Sequence, residues 1–224
     1  MRINGTIVDN DSKWVYDTFD IESFSPSDLY RELDKLNEYD PIDIEINSPG
    51  GYVTAGSEIY TALINHKGEV NVTITGLAAS VASVIAMAGT HVKISPTARI
   101  MIHNASATAS GDYRDFDRYS EQLQKTNEVI SNAYLIKADV SRKDVLEMMN
   151  KETWLTPDEA IRMGFVDEIV SREGASEQMV AGFMPKLLPQ EVIEKANKQR
   201  EYEHLQLLKL KETNYEERKV FRKA

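Results

Sequence analysis

The stretch IDIEINSPGGYVTAG, residues 42–56, holds the key to the fold. Ile42, Ile44 and Ile46 alternate with Asp43 and Glu45, the period of a strand with one face in a core. The spacing predicts a strand over 42–46, stopped by Asn47-Ser48-Pro49-Gly50-Gly51. Proline lacks an N–H and glycine reaches positive φ, so these residues read as a turn. Two uses of that turn stand side by side. It is a plain connection, or it is a side-chain-free segment that aims backbone N–H groups at an oxyanion and pairs with an extended peptide.

Elements of the same kind lie on both sides. Residues 2–8 alternate like a strand. Ser25-Pro26-Ser27-Asp28 carries a capping serine, a proline at the first helical position and an early acid ahead of LYRELDKLNEY, and Pro41 stops that helix. A helix is predicted over 54–65, closed by His66-Lys67-Gly68, then a strand over Val70–Thr75. Gly76-Leu77-Ala78-Ala79-Ser80 leads into a small-residue helix ending at Gly89. His91–Ser95 and Arg99–His103 read as strands, 104–111 as a polar loop and Asp112–Lys137 as a long helix. Ser141 with Asp144 three residues on caps a helix over Ser141–Met149. Thr156-Pro157-Asp158-Glu159 is a capping box, Gly164 ends its helix, and Val166–Val170 is a last strand. Strands alternating with helices predict an α/β fold of parallel crossover units. The expected organisation is one domain over 1–172, a linker over 173–189 and a charged helical tail over 190–224. That tail holds nine Lys/Arg against seven Asp/Glu, so the acidity of the chain sits in its body.

Composition narrows the function. The chain has 224 residues and a net charge of −10, which gives no electrostatic footprint for nucleic acid or an anionic membrane. It has no cysteine, and its four histidines form no close pair, so neither a disulfide, a zinc site nor another cofactor is expected. No signal peptide or bilayer-spanning run is read, and a cytoplasmic setting is expected.

Three positions could carry chemistry. Ser80 stands where a strand passes into a helix, near free N–H groups that favour developing negative charge. A serine there is also a routine helix cap. His103 ends an apolar strand, where parallel sheets place reacting groups, although such a histidine also serves as a core-edge residue bonded to a carbonyl. Gly50 and Gly51 complete the set.

In this order, INSPGGYVTAGSEIY, GLAASVASVIAMAG, ARIMIHN and WLTPDEAIRMGFVDEI resemble the Clp protease proteolytic subunit family of serine peptidases, over roughly residues 2–171. The resemblance implies a ClpP/crotonase-like fold of repeated β-β-α units with a long handle helix at 112–137. It implies Ser80 as nucleophile, His103 as general base, and the Gly51 and Val81 N–H groups as oxyanion donors. Gly50, Tyr52, Val53, Thr54 and Asn104 fall where substrate is expected to pair. The family acid, normally Asp, corresponds to Glu152, two residues before Trp154; Asp144, or no acid, are the alternatives. The expected partners are protein or peptide substrates and further copies of the chain in a ring, a heptamer or double ring.

Three departures from the family pattern stand out. The chain starts almost at its first core strand, without the longer segment that lines the axial pore in housekeeping members, which speaks against gating by an ATP-driven unfoldase. NASATASG after His103 lacks the usual pair of glycines. The charged tail runs past the usual end. With the ETW variant, these features are most similar to the phage and prophage head maturation proteases, which implies capsid or scaffold protein as substrate. The alternatives are a degradative peptidase working with an unfoldase, a non-catalytic ring or scaffold protein, and a crotonase-type enzyme acting on acyl thioesters.

Overall fold

A computed structural model describes residues 1–171; the linker and charged tail expected beyond them lie outside the described residues. The strands are β1 (Arg2–Ile7), β2 (Ser23–Phe24), β3 (Ile42–Gly51), β4 (Val70–Ala79), β5 (His91–Ile94), β6 (Arg99–Ile102), β7 (Thr153–Leu155) and β8 (Glu168–Ile169). The helices are α1 (Asn10–Thr18), α2 (Pro26–Leu33), α3 (Val53–Ile64), α4 (Val81–Ala86), α5 (Tyr113–Lys137), α6 (Arg142–Asn150) and α7 (Pro157–Arg162). One sheet runs in the order β2-β1-β3-β4-β5-β8, all parallel. A side branch leaves β4, with β6 parallel to it and β7 antiparallel to β6.

The branch follows from the register of β4. Its first half, Asn71 to Ile74, pairs with β5, and its last residues, Leu77 to Ala79, pair with β6. Between these halves the pairing with β3 slips, from Ile46↔Ile74 to Ser48↔Ala78. Extra residues on one strand bend it and increase its twist, and here the bend carries the end of β4 onto a new neighbour. Ile44, Ile46, Val72, Ile74, Val92, Ile94, Ile100 and Ile102 are all buried. Along β3 each buried residue alternates with an exposed one, so that strand turns one face to the core and the other to solvent.

The helix starts expected from sequence form as capped ends. Ser25 with Asp28, Asp112 with Asp115 and Thr156 with Glu159 are reciprocal capping boxes, and Ser141 accepts from the Asp144 N–H. Two expectations need correction. The strand at 42–46 does not end in a turn: β3 continues to Gly51, with Gly50 opposite Thr6 and Gly51 opposite Ile7. A slip against β1 between Asn47 and Gly50 absorbs Ser48 and Pro49, and a bulge is where a strand tolerates proline. Likewise the strand at 70–75 runs on to Ala79, because β6 supplies hydrogen-bond partners that local sequence cannot reveal. Three elements were not anticipated. α1 carries a readable signal, Asp9 accepting from the Ser12 N–H. β2 and β7 are two and three residues long and exist only by pairing with β1 and β6.

Ile74 lies fully buried in the central strand. Ile74→Ala is expected to lower unfolding free energy by about 2–5 kcal/mol, read from urea unfolding at fixed protein concentration.

Candidate active site

Parallel pairing brings Ser80 and His103 to one place. Ala79 lies opposite Met101, and the Ser80 N–H extends that ladder by donating to the Met101 carbonyl at 2.8 Å. The chain leaves β4 at Ser80 and leaves β6 at His103, at the same edge of the sheet. There the His103 ring Nε2 and Ser80 Oγ are 2.8 Å apart. This is the reach a base needs to remove a hydroxyl proton.

Ser80 has φ 54° and ψ −130°, a region that costs a non-glycine residue on the order of 1–3 kcal/mol. Its neighbours hold it there. The amide is fixed by Met101, and the carbonyl accepts from the Ser83 N–H at 3.0 Å and from Ser83 Oγ at 2.6 Å. Ser80 therefore does not act as a side-chain cap of α4: its hydroxyl makes no capping bond and turns to His103 instead. Val81, the next residue, is the first of α4, where N–H groups have no acceptor within the helix.

The glycines complete this pocket. A Cβ on Gly50 would lie 2.6 Å from Ser80 Cβ and 2.7 Å from the Ala79 carbonyl oxygen. Only a residue without a side chain lets β3 pass that close to the serine. Gly51 has φ 156°, and a Cβ there would meet the Ile7 carbonyl oxygen at 2.0 Å. The Tyr52 N–H donates to that same carbonyl at 2.9 Å. Successive N–H groups alternate in direction along a strand, so the Gly51 N–H faces the β4 side, where Ser80 stands. Fully buried Ser48 ties the segment down, donating to the Gly5 carbonyl at 2.6 Å and accepting from the Gly50 N–H at 3.1 Å.

The segment after His103 is tied to two helices. Asn127 of α5 accepts from the Ala105 N–H at 2.8 Å, and Asn104 Nδ2 donates to Asn150 Oδ1 of α6 at 2.8 Å. Asn104 Oδ1 is buried without a partner among the described residues. Beside the site, Val53, Thr54 and Ser57 of α3 and Lys125, Val129 and Ile130 of α5 line a groove of about 490 Å³. Tyr52 is exposed just before it.

The acids stand differently. Glu152 is exposed, with φ 50°, and its Oε1 accepts from the Trp154 indole Nε1 at 3.4 Å. Asp144 accepts from Ser141 Oγ at 2.6 Å within the cap of α6. Among the described residues the hydrogen bond made by the His103 ring is the one to Ser80. The structure thus brings together Ser80, His103, Gly50, Gly51 and Val81, and it leaves both candidate acids bonded elsewhere.

Sequence reading missed the residues that support the site: Ser48, Ser83, Asn127, Tyr134 and Asn150. Ser83, three residues after Ser80, is in reach of a backward hydroxyl bond and was readable from spacing. Tyr134 was not. Its phenol is buried and 2.8 Å from Ser83 Oγ, and its ring packs on Phe165 with centroids 5.8 Å apart. Burial pushes the Tyr134 hydroxyl well above the usual tyrosine range, with the Ser83 contact opposing, so it stays protonated.

Among the described residues no group of His, Asp and Glu is arranged to hold a metal ion, and no helix is long and apolar enough to cross a membrane.

The Clp protease family profile matches residues 27–173. An ATP-dependent Clp protease proteolytic subunit of Deinococcus radiodurans is 32% identical over 142 residues, 62% of this chain and 70% of that protein. Subunit 1 of Chlamydia abortus is 31% identical over 167 residues, covering 71% and 87%. The Bacteroides thetaiotaomicron subunit is 34% identical over 161 residues, covering 68% and 72%. With a serine and histidine joined at the ends of two parallel strands, a glycine pair passing against the serine, and a family profile matched over residues 27–173, the chain belongs to the Clp protease family.

Proposed function

We propose that this protein is a serine endopeptidase. The observation that carries the reading is the 2.8 Å contact between His103 Nε2 and Ser80 Oγ, made by a serine held in a strained backbone conformation. His103 takes the Ser80 proton as Oγ attacks a peptide carbonyl. The carbonyl oxygen becomes an oxyanion, stabilised by the N–H groups of Gly51 and Val81. His103 then gives its proton to the departing amine, and water, deprotonated by the same histidine, releases the acyl group. Glu152 is the acid of the triad in this reading. It would turn from the Trp154 indole to His103 Nδ1, fix the ring tautomer and stabilise the imidazolium. Substrate lies extended along Gly50–Thr54 and past Asn104, adding a strand at the sheet edge.

The role proposed is maturation of phage capsid or scaffold protein, by a homo-oligomeric ring (heptamer or double ring) in the bacterial cytoplasm or inside a procapsid. It is supported by the Glu152-Thr153-Trp154 variant at the acid position and by the charged segment at 190–224. A second reading, a degradative peptidase fed by an unfoldase, is favoured by the names of the relatives, all ATP-dependent Clp proteolytic subunits. Degradation of a folded protein only when an ATPase is added would select the second. Cleavage of capsid or scaffold protein during assembly, lost in Ser80→Ala, would select the first. Removing residues 186–224 is expected to reduce incorporation into procapsids, and normal incorporation would rule out a tethering role for the tail.

Wild type is expected to take one fluorophosphonate label per active chain, and Ser80→Ala none. Absence of serine-dependent labelling in the wild-type assembly would end the peptidase reading. Glu152→Gln is expected to lower kcat on the order of 10³-fold or more, with Glu152→Asp retaining most of it; equal activity of Glu152→Gln and wild type would remove Glu152 from the triad. Gly50→Ala puts a methyl on Ser80 and is expected to cut labelling by about 10²-fold or more, the scale of a lost oxyanion donor, while the protein stays folded by circular dichroism.

A further inference from the structure

Behind the reacting groups lies a buried pair of hydroxyls. Ser83 is 0% exposed and Tyr134 1%. Ser83 Oγ donates to the Ser80 carbonyl at 2.6 Å, and this uses its only proton, so at 2.8 Å the Tyr134 hydroxyl is the donor and Ser83 Oγ the acceptor. The line therefore runs in one direction, from Tyr134 O–H to Ser83 O–H to the Ser80 carbonyl. It joins the long helix α5 to the first turn of α4.

The Ser80 carbonyl belongs to the same peptide unit as the Val81 N–H. That unit is planar and trans, so its C=O and N–H point in opposite directions. Holding the oxygen toward Ser83 fixes where the Val81 N–H points. Ser80 sits at ψ −130° on a positive φ, so the plane is not one the chain would hold unaided. A bond accepted by the carbonyl also polarises its peptide unit and strengthens the N–H as a donor.

Core packing alone does not call for this pair. Two buried hydroxyls can be replaced by groups of the same shape lacking both at nearly no cost, so alanine and phenylalanine would fill the space. What they would not do is fix the peptide plane. The geometry points to Ser83 and Tyr134 as positioning residues that aim the Val81 N–H at the oxyanion. The inference rests on the serine peptidase reading of the site, and neither residue touches substrate.

The test uses the full chain in its native assembly and a fluorophosphonate, whose P=O oxygen takes the place of the oxyanion. Ser83→Ala is expected to lower the maximal inactivation rate constant by about tenfold or more, less than the 10²–10³ for deleting a donor outright. The concentration for half-maximal rate and the pH midpoint of labelling are expected to stay as in wild type. Tyr134→Phe gives a smaller loss of the same kind, the double variant is no worse than Ser83→Ala, and Ser83→Thr restores the rate. A purely structural role would lower thermal stability or the labelled fraction without changing the rate constant per active site. Crystal structures of Ser83→Ala and Tyr134→Phe are expected to show the Ser80–Val81 peptide turned or split between two orientations. Wild-type rate constants in both folded variants, or multiplying losses in the double variant, would overturn the inference; should Ser83→Ala not fold, Tyr134→Phe decides alone. If wild type itself takes no label at Ser80, the peptidase reading falls, and the two crystal structures decide the positioning, an unturned peptide overturning it.

Discussion

The site depends on three parallel strands ending at one level, with nothing between the first and second but hydrogen atoms. β3 passes the end of β4 so closely that a methyl at Gly50 would collide with Ser80. β6 ends beside β4 and delivers His103 to the same point. Sheet hydrogen bonds set this spacing, and they are short and directional. Ser80 and His103 are therefore placed by backbone pairing, before any side chain contributes. In open parallel sheets the strand ends are where ligands bind, and this sheet supplies the reason: ladder registers, once set, fix where every strand stops.

Closeness has a conformational cost, and it falls on Ser80. Its positive φ lets the chain leave a strand and enter a helix within one residue. The strain persists because both backbone groups are bonded, the amide to β6 and the carbonyl to Ser83. The same bonds free the hydroxyl from capping duty and turn it toward His103. A routine serine at a helix start would use its oxygen on the helix.

Much of this was legible in the chain. Periodicity located the main core strands, and the capping signals at Ser25, Ser141 and Thr156 placed three helix starts. Such signals are local, acting over three or four residues, so sequence displays them directly. The order of SPGG, Ser80 and His103 drew attention to these residues only through the resemblance of the whole motif series to the Clp protease family. The ends of β3 and β4 were read too short, since residues 47–51 and 76–79 become strand only when β1 and β6 lie alongside. β2 and β7 left no trace, because a strand of two or three residues has no periodicity of its own.

The sequence by itself determined the parallel α/β class and the main helix starts, and its ordered motifs singled out Ser80, His103, Gly50 and Gly51 through their resemblance to the Clp protease family. The class and the helix starts follow from side-chain chemistry and short-range backbone preference. Tertiary structure alone decided that Gly50 and Gly51 lie in a strand and not a turn, that β4 changes partner midway, and that Glu152 bonds Trp154. It alone joined Ser83 to Tyr134, 51 residues away. Contacts over such distances depend on which surfaces the packed sheet and helices bring together, and no residue carries that information in its own neighbourhood.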